Sequence, residues 1–205
     1  MTWADRISPL VQSIPPSGIR RFFDIAAEMK GVISLGVGEP DFVTPWHIRE
    51  SCIYGLNRGY TSYSSNAGLL ELREEICKSL YQDYEVTYNP RTEVLVTVGV
   101  SEGLDLAMRA LLSPGDEVLI PEPCYVSYKS CVTLAGGTPV PVATVMENEF
   151  RITAAELEAF VTPRTKVLLI GYPNNPTGAI MSRDDLAEIA LFAKKHDLIV
   201  ISDEI

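Results

Sequence analysis

The chain has 205 residues, 46% of them apolar and 21% charged, which is enough for a domain with a sizeable core and excludes a disordered segment. Seventeen basic residues against twenty-seven acidic ones give a formal charge of -10, which argues against nucleic acid and anionic membranes as partners. No apolar stretch reaches the roughly 20 residues of a membrane span, and Met1 to Leu10 lacks the basic start and apolar centre of a secretory signal, so a cytoplasmic protein is expected.

Residues 1–45 read as an amino-terminal arm or a piece of a smaller domain, because Pro15-Pro16-Ser17-Gly18 and Gly36 to Pro45 interrupt them before any regular pattern forms. Residues 46–205 read as a larger domain. Within it Leu69, Leu72, Ile76 and Leu80 mark a helix over Gly68 to Leu80. From Glu93 onward, β-branched runs alternate with helical patterns, the signature of an α/β protein whose mostly parallel, doubly wound sheet carries helices on both faces.

The predicted strands are Val94–Val98, Glu117–Ile120, Thr138–Val142, Val167–Ile170 and Leu198–Ile201. The predicted helices between them are Ser101–Leu112, Tyr125–Ala135, Ala154–Phe160 and Arg183–His196. Thr153 with Glu156 forms a capping box, and Pro163 closes that helix. Leu186, Ile189, Ala190 and Ala193 give the last helix one apolar face. Cys52, Cys77, Cys124 and Cys131 lack short paired spacing, so they read as buried free thiols, with neither a metal site nor a disulfide framework.

Ligands of an open parallel sheet bind beyond the carboxyl ends of its strands. Three of these ends are unusual. Val94–Val98 runs into Gly99-Val100-Ser101 and a helix, which aims backbone N–H groups and a hydroxyl at one point and suits an anion; Ser101 is equally an ordinary N-cap. Val167–Ile170 runs into GYPNNPTG, where an amide can reach a ligand oxygen or can simply bond its own turn. Leu198–Ile201 runs into Ser202-Asp203-Glu204, where a carboxylate beside an apolar strand asks for a cation, or caps a following helix. Together the three ends ask for a ligand with a phosphate, an exposed oxygen and a cationic ring atom, and pyridoxal 5'-phosphate has all three.

The segment Pro173-Asn174-Asn175-Pro176-Thr177-Gly178 followed by Ser202-Asp203-Glu204 resembles the fold-type I pyridoxal-phosphate aminotransferases of class I/II. Pro16-Ser17-Gly18-Ile19-Arg20 and Gly36-Val37-Gly38-Glu39-Pro40-Asp41-Phe42 are similar to the branch with bacterial aspartate, aromatic and N-acetyl-diaminopimelate aminotransferases. The resemblance implies that residues 46–205 form the cofactor-binding large domain. It implies that Asn175 donates to the cofactor's phenolic oxygen, that Asp203 pairs with its ring nitrogen, and that the Val100 backbone and Ser101 hold its phosphate. It further implies that Tyr125 stacks on the ring, that Tyr63 reaches the phosphate of a neighbouring subunit, and that the Gly38 backbone approaches the substrate carboxylate. Read without the resemblance, Tyr63 is a loop aromatic and Gly38 a turn that needs positive φ.

The same resemblance places the Schiff-base lysine, a neighbouring tyrosine and a carboxylate-binding arginine beyond Ile205. Lys30, Lys78, Lys129, Lys166, Lys194 and Lys195 read as solvated surface residues, so no catalytic residue is assigned within these 205 residues, which read as the amino-terminal part of a longer enzyme. The implied protein is a homodimer with composite active sites that moves an amino group between an amino acid and a 2-oxo acid. The alternatives are a C–S lyase or decarboxylase on the same scaffold, or a ligand sensor without catalysis.

Overall fold

The computed structural model describes residues 4–15, 25, 29, 31, 33, 38 and 40–204. The expectation for Pro16 to Arg20, and that for Gly36, Val37 and Glu39 of Gly36 to Phe42, falls outside them. By internal contacts the chain divides into Met1–Pro16 with Val98–Ile205 as one compact unit and Ser17–Thr97 as a second. The helices with bounds among the described residues are α1 (Pro9–Gln12), α2 (Trp46–Asn57), α3 (Leu70–Tyr84), α4 (Gly99–Leu111), α5 (Ser127–Leu134), α6 (Ala154–Glu158) and α7 (Arg183–Lys195). The strands are β1 (Glu117–Glu122), β2 (Thr138–Ala143), β3 (Thr165–Gly171) and β4 (Ile199–Asp203).

The four strands form one parallel sheet in the order β2-β1-β3-β4. Helices cover both of its faces, as the alternating pattern predicts. Side chains on a strand point to opposite faces in turn, so consecutive residues separate into two cores. Val118, Ile120, Val167 and Leu169 pack with Leu104 and Met108 of α4 and with Tyr128, Cys131 and Val132 of α5. Leu119, Leu168 and Ile170 turn the other way, to Leu157 of α6 and to Ile189 and Phe192 of α7. Each such fully buried aliphatic side chain contributes about 2 kcal/mol, which is why β1 and β3 read as unbroken apolar runs rather than alternating ones.

The last two helices start on capping boxes. Thr153 Oγ1 accepts from the Glu156 N–H at 3.2 Å, and a Glu156 carboxylate oxygen accepts from the Thr153 N–H at 2.8 Å. Ser182 and Asp185 do the same for α7, at 3.1 Å and 2.9 Å. The sequence pattern identifies the first box. The second escapes it, because Asp is one methylene shorter than the Glu or Gln of the usual motif.

The structure changes several sequence expectations. Val94–Val98 is not a strand: the Val96 N–H bonds to the Ala67 carbonyl at 3.1 Å, but no ladder forms among the described residues, and β propensity without a pairing partner makes no sheet. Trp46–Asn57 is a helix that no periodicity announced, because its large apolar residues Trp46, Ile48, Ile53, Tyr54 and Leu56 are all exposed and share no single face. Of the four cysteines, only Cys131 is buried, while Cys52 is exposed and Cys77 and Cys124 are intermediate; all four are free.

In the second unit, Gly68 is required by its backbone: its φ is +93°, and a Cβ there would stand 2.7 Å from the Val96 side chain. The buried Arg73 of α3 donates to the Pro90 carbonyl at 2.7 Å and so ties that helix to the turn after it. No helix among the described residues is long and apolar enough to cross a membrane.

Candidate cofactor site

The chain passes from β1 through α5 to β2 on one side of β1, and from β2 through α6 to β3 on the other. The order therefore reverses between β1 and β3. At such a switch point the loops leaving neighbouring strands diverge to opposite faces and open a crevice beyond the strand ends. Tyr125 follows β1 and Asn175 follows β3. A cavity of about 340 Å³ lies there, lined by Val100, Ser101, Tyr125, Asn175 and Asp203.

Four chain segments thus deliver to one cavity five of the seven residues predicted for the cofactor and substrate. The other two belong to the unit of residues 17–97. Tyr63 is fully exposed and lines a separate cavity of about 630 Å³ with Tyr60, Leu69 and Glu71. Gly38 is exposed, nothing among the described residues lies within 4 Å of a Cβ built on it, and its φ lies outside the left-handed region, so the reading of that glycine as a turn that needs positive φ does not hold.

Each lining residue is held by its own local structure. Helix α4 begins at Gly99, with Val98 as its N-cap and no side-chain cap; the Glu102 carboxylate takes the Val98 N–H instead. Ser101 is therefore not the N-cap that its sequence position offered. It stands in the first turn, where backbone N–H groups lack intrahelical acceptors and the helix dipole is positive. No hydrogen bond among the described residues engages its hydroxyl.

The two adjacent amides have separate tasks. Asn174 is structural: its Nδ2 donates to the Pro123 carbonyl at 3.1 Å, and its Oδ1 accepts from the Thr177 hydroxyl at 2.8 Å and the Thr177 N–H at 3.2 Å. It pins the loop after β3 to the loop after β1. Asn175 is exposed at the cavity, and its amide has no hydrogen-bond partner among the described residues.

Asp203 ends β4 paired with Gly171 of β3, and it is only 8% exposed. Its Oδ2 accepts a hydrogen bond of 2.7 Å from the Tyr128 hydroxyl. The sequence pattern places Tyr128 only within the predicted helix Tyr125–Ala135. Its ring meets that of Tyr125 edge-on, with centroids 5.7 Å apart and planes at 81°, so the two tyrosines brace each other. Burial, then the hydrogen bond to Asp203, pushes the Tyr128 hydroxyl well above the ordinary tyrosine range, which keeps it a protonated donor. Burial also raises the neighbouring Cys124 thiol to about 11, so it is protonated at neutral pH and is a poor nucleophile.

These groups fit pyridoxal phosphate. A buried carboxylate with one oxygen free of protein partners suits a protonated ring nitrogen, an uncommitted amide suits the phenolic oxygen, and a helix start with a free hydroxyl suits a phosphate. Among the described residues no lysine lines the cavity. Lys78, Lys129, Lys166 and Lys195 are ion-paired to Glu75, Glu122, Asp116 and Glu158, Lys194 is exposed, and Lys30 lies outside the described residues.

The sequence pattern of the family described as aminotransferase class I and II matches residues 30–205. The chain belongs to this family. Its members are pyridoxal-phosphate-dependent enzymes. The chain is 58% identical over 199 residues to YugH of Bacillus subtilis, which bears an aminotransferase name, covering 97% of this chain and 52% of that protein. It is 50% identical over 205 residues to an aspartate aminotransferase of Pyrococcus abyssi, covering all of this chain and 52% of the other. The crystal structure of an aromatic aminotransferase from Pyrococcus horikoshii superposes with a TM-score of 0.84 at 47% identity, over 92% of this chain and 50% of that one. The chain thus spans about half the length of the curated relatives it matches.

Proposed function

We propose that the chain supplies the cofactor-holding half of a pyridoxal-phosphate-dependent aminotransferase that moves an amino group between an amino acid and a 2-oxo acid. The observation that carries this is the convergence of Ser101, Tyr125, Asn175 and Asp203 on one cavity at the switch point of the sheet. When bound, the cofactor supplies an electron sink for bond cleavage at the substrate's α-carbon. Asp203 holds a proton at the ring nitrogen, since a buried carboxylate stabilises the cationic form. Asn175 donates to the phenolic oxygen and orients the ring. Ser101 and the backbone N–H groups of the first turn of α4, that of Val100 among them, bind the phosphate. Tyr125 covers a ring face and keeps water from it.

In this reading Gly38 lets backbone approach the substrate carboxylate. The protein is a cytoplasmic homodimer of amino acid metabolism in which the partner subunit's Tyr63 reaches the phosphate. The lysine that binds the cofactor covalently comes from residues after Ile205, so a polypeptide of Met1 to Ile205 alone does not transaminate.

The test is to purify the full-length protein and record its visible absorption. Amino transfer to a 2-oxo acid is then assayed with aspartate and with phenylalanine as donors. A visible band that is lost on dialysis against a carbonyl reagent, together with transfer from a donor, is the expected result. A protein that neither carries nor takes up the cofactor refutes the reading.

A further inference from the structure

Asp203 can act on a ring nitrogen only if its carboxylate is held at one angle, and β4 by itself does not hold it. The strand fixes the Cα, but the carboxylate still turns about its own side-chain bonds, and an aspartate is free to take several rotamers. What restrains it is a residue 75 positions away in sequence, Tyr128, whose hydroxyl donates to Oδ2 at 2.7 Å. Tyr128 is 3% exposed and packs among Val118, Val167 and Leu169, so the donor itself cannot wander.

The approach depends on Gly171. A Cβ on that residue would stand 2.5 Å from the Tyr128 hydroxyl oxygen, closer than any real contact. Gly171 is also the β3 partner of Asp203 in the parallel register. A strand pairing, a missing side chain and a helical tyrosine therefore meet at one carboxylate oxygen. The other oxygen, Oδ1, has no partner among the described residues, and Asp203 lines the cavity.

We propose that Tyr128 is a positioning residue that clamps Oδ2 of Asp203 through a hydrogen bond permitted by Gly171, so that Oδ1 is presented to the ring nitrogen of the bound cofactor. The choice of a phenol matters. A lysine or protonated histidine would neutralise the carboxylate, whereas a phenol that stays protonated orients it and leaves its negative charge in place. Raising the hydroxyl's acidity threshold by burial keeps that donor intact across the working pH range.

The proposal rests on the reading of the cavity as a pyridoxal-phosphate site, and the experiment separates the two. The apo form of the full-length protein is titrated with pyridoxal phosphate and with its 1-deaza analogue, in which a C–H replaces the ring nitrogen. The ratio of the two affinities reports contact with that nitrogen and not general cofactor binding. Wild type is expected to favour pyridoxal phosphate, and Asp203→Ala to abolish the preference. Tyr128→Phe is expected to reduce it about tenfold while affinity for the analogue stays the same, the size of one charge-assisted hydrogen bond. Should Tyr128→Phe fail to fold, Gly171→Ala, which displaces the hydroxyl while keeping the tyrosine, is expected to give the same reduction. Loss of the preference in Asp203→Ala with full retention in a folded Tyr128→Phe or Gly171→Ala overturns the clamp and leaves the cofactor site standing. Equal ratios in wild type and Asp203→Ala overturn the cofactor reading, and the clamp with it.

Discussion

The two ends of the sheet each bury an acid, and they treat it in opposite ways. At the amino end Glu117 opens β1 and is 4% exposed. One of its oxygens accepts from the Thr162 hydroxyl at 2.5 Å; the other takes Arg164 Nη2 at 2.8 Å and Nε at 3.1 Å. Beside it Lys166 donates to Asp116 at 2.9 Å. Every strong bonding site of that carboxylate is used within the protein. At the carboxyl end Asp203 has one donor, and Asn175 and Ser101 have none among the described residues. A fully bonded buried charge is a structural joint, whereas one with spare capacity beside an open cavity has an oxygen left to offer a ligand. Burial alone does not tell these two acids apart.

The largest effect expected from this contrast is catalytic. In the full-length protein Asp203→Ala should lower turnover by at least about 100-fold, the usual scale for losing one preorganised electrostatic group. Affinity for pyridoxal phosphate should fall far less, because the phosphate and phenolic-oxygen contacts remain. Steady-state kinetics and cofactor titration on one preparation measure both. Turnover equal to wild type removes Asp203 from the mechanism.

The matching change at the other end should act on stability. Glu117→Ala strands Thr162 and Arg164 and should cost about 2 kcal/mol in urea unfolding, a modest figure because Arg164 is largely exposed. Turnover per folded molecule should not change. The Thr162 hydroxyl, together with Arg164, holds the Glu117 carboxyl below its ordinary value of 4.5. As pH falls through 4.5 the unfolded chain takes up this proton first, so protons favour unfolding. The contribution is complete above that pH and is lost as pH falls through the folded value. Urea midpoints measured from pH 6 to pH 3 should therefore fall less steeply in Glu117→Gln than in wild type. Parallel curves would mean that Glu117 is not the joint described.

The smallest effect sharpens the contrast within a single loop. Asn174→Ala removes bonds to Pro123 and Thr177 and should lower stability by about 1 kcal/mol. Asn175→Ala should leave stability within error and instead weaken retention of the cofactor. Thermal melts without cofactor and dissociation constants with it separate the pair, and a melting point lowered by both substitutions alike would erase the division of labour.

Much of this was legible because it is local. The apolar runs of β1 and β3, the capping box at Thr153, the amide after β3 and the acid that ends β4 all lie within a few residues of the feature that identifies them. Ligand sites of parallel sheets lie at strand ends, so knowing where the strands stop was enough to nominate an amide after β3 and a carboxylate at the end of β4, and the resemblance to the aminotransferases pointed to Asn175 and Asp203 among them. The boundaries moved by a few residues, with β1 running to Glu122 instead of Ile120 and α4 starting at Gly99 instead of Ser101. That last shift changed the meaning of Ser101 from cap to free hydroxyl.

What the amino-acid sequence determined by itself is the class of fold, the alternation of its elements and the residue types at the strand mouths, because hydrophobic periodicity and turn chemistry act over short distances. Only the tertiary structure decided the strand order β2-β1-β3-β4, the exclusion of Val94–Val98 from the sheet, and which of two neighbouring asparagines faces the cavity. It alone brought Tyr128 to Asp203 over Gly171. Each of these depends on a partner distant in the chain, a paired strand or a side chain 75 residues away, and no local pattern records who that partner is.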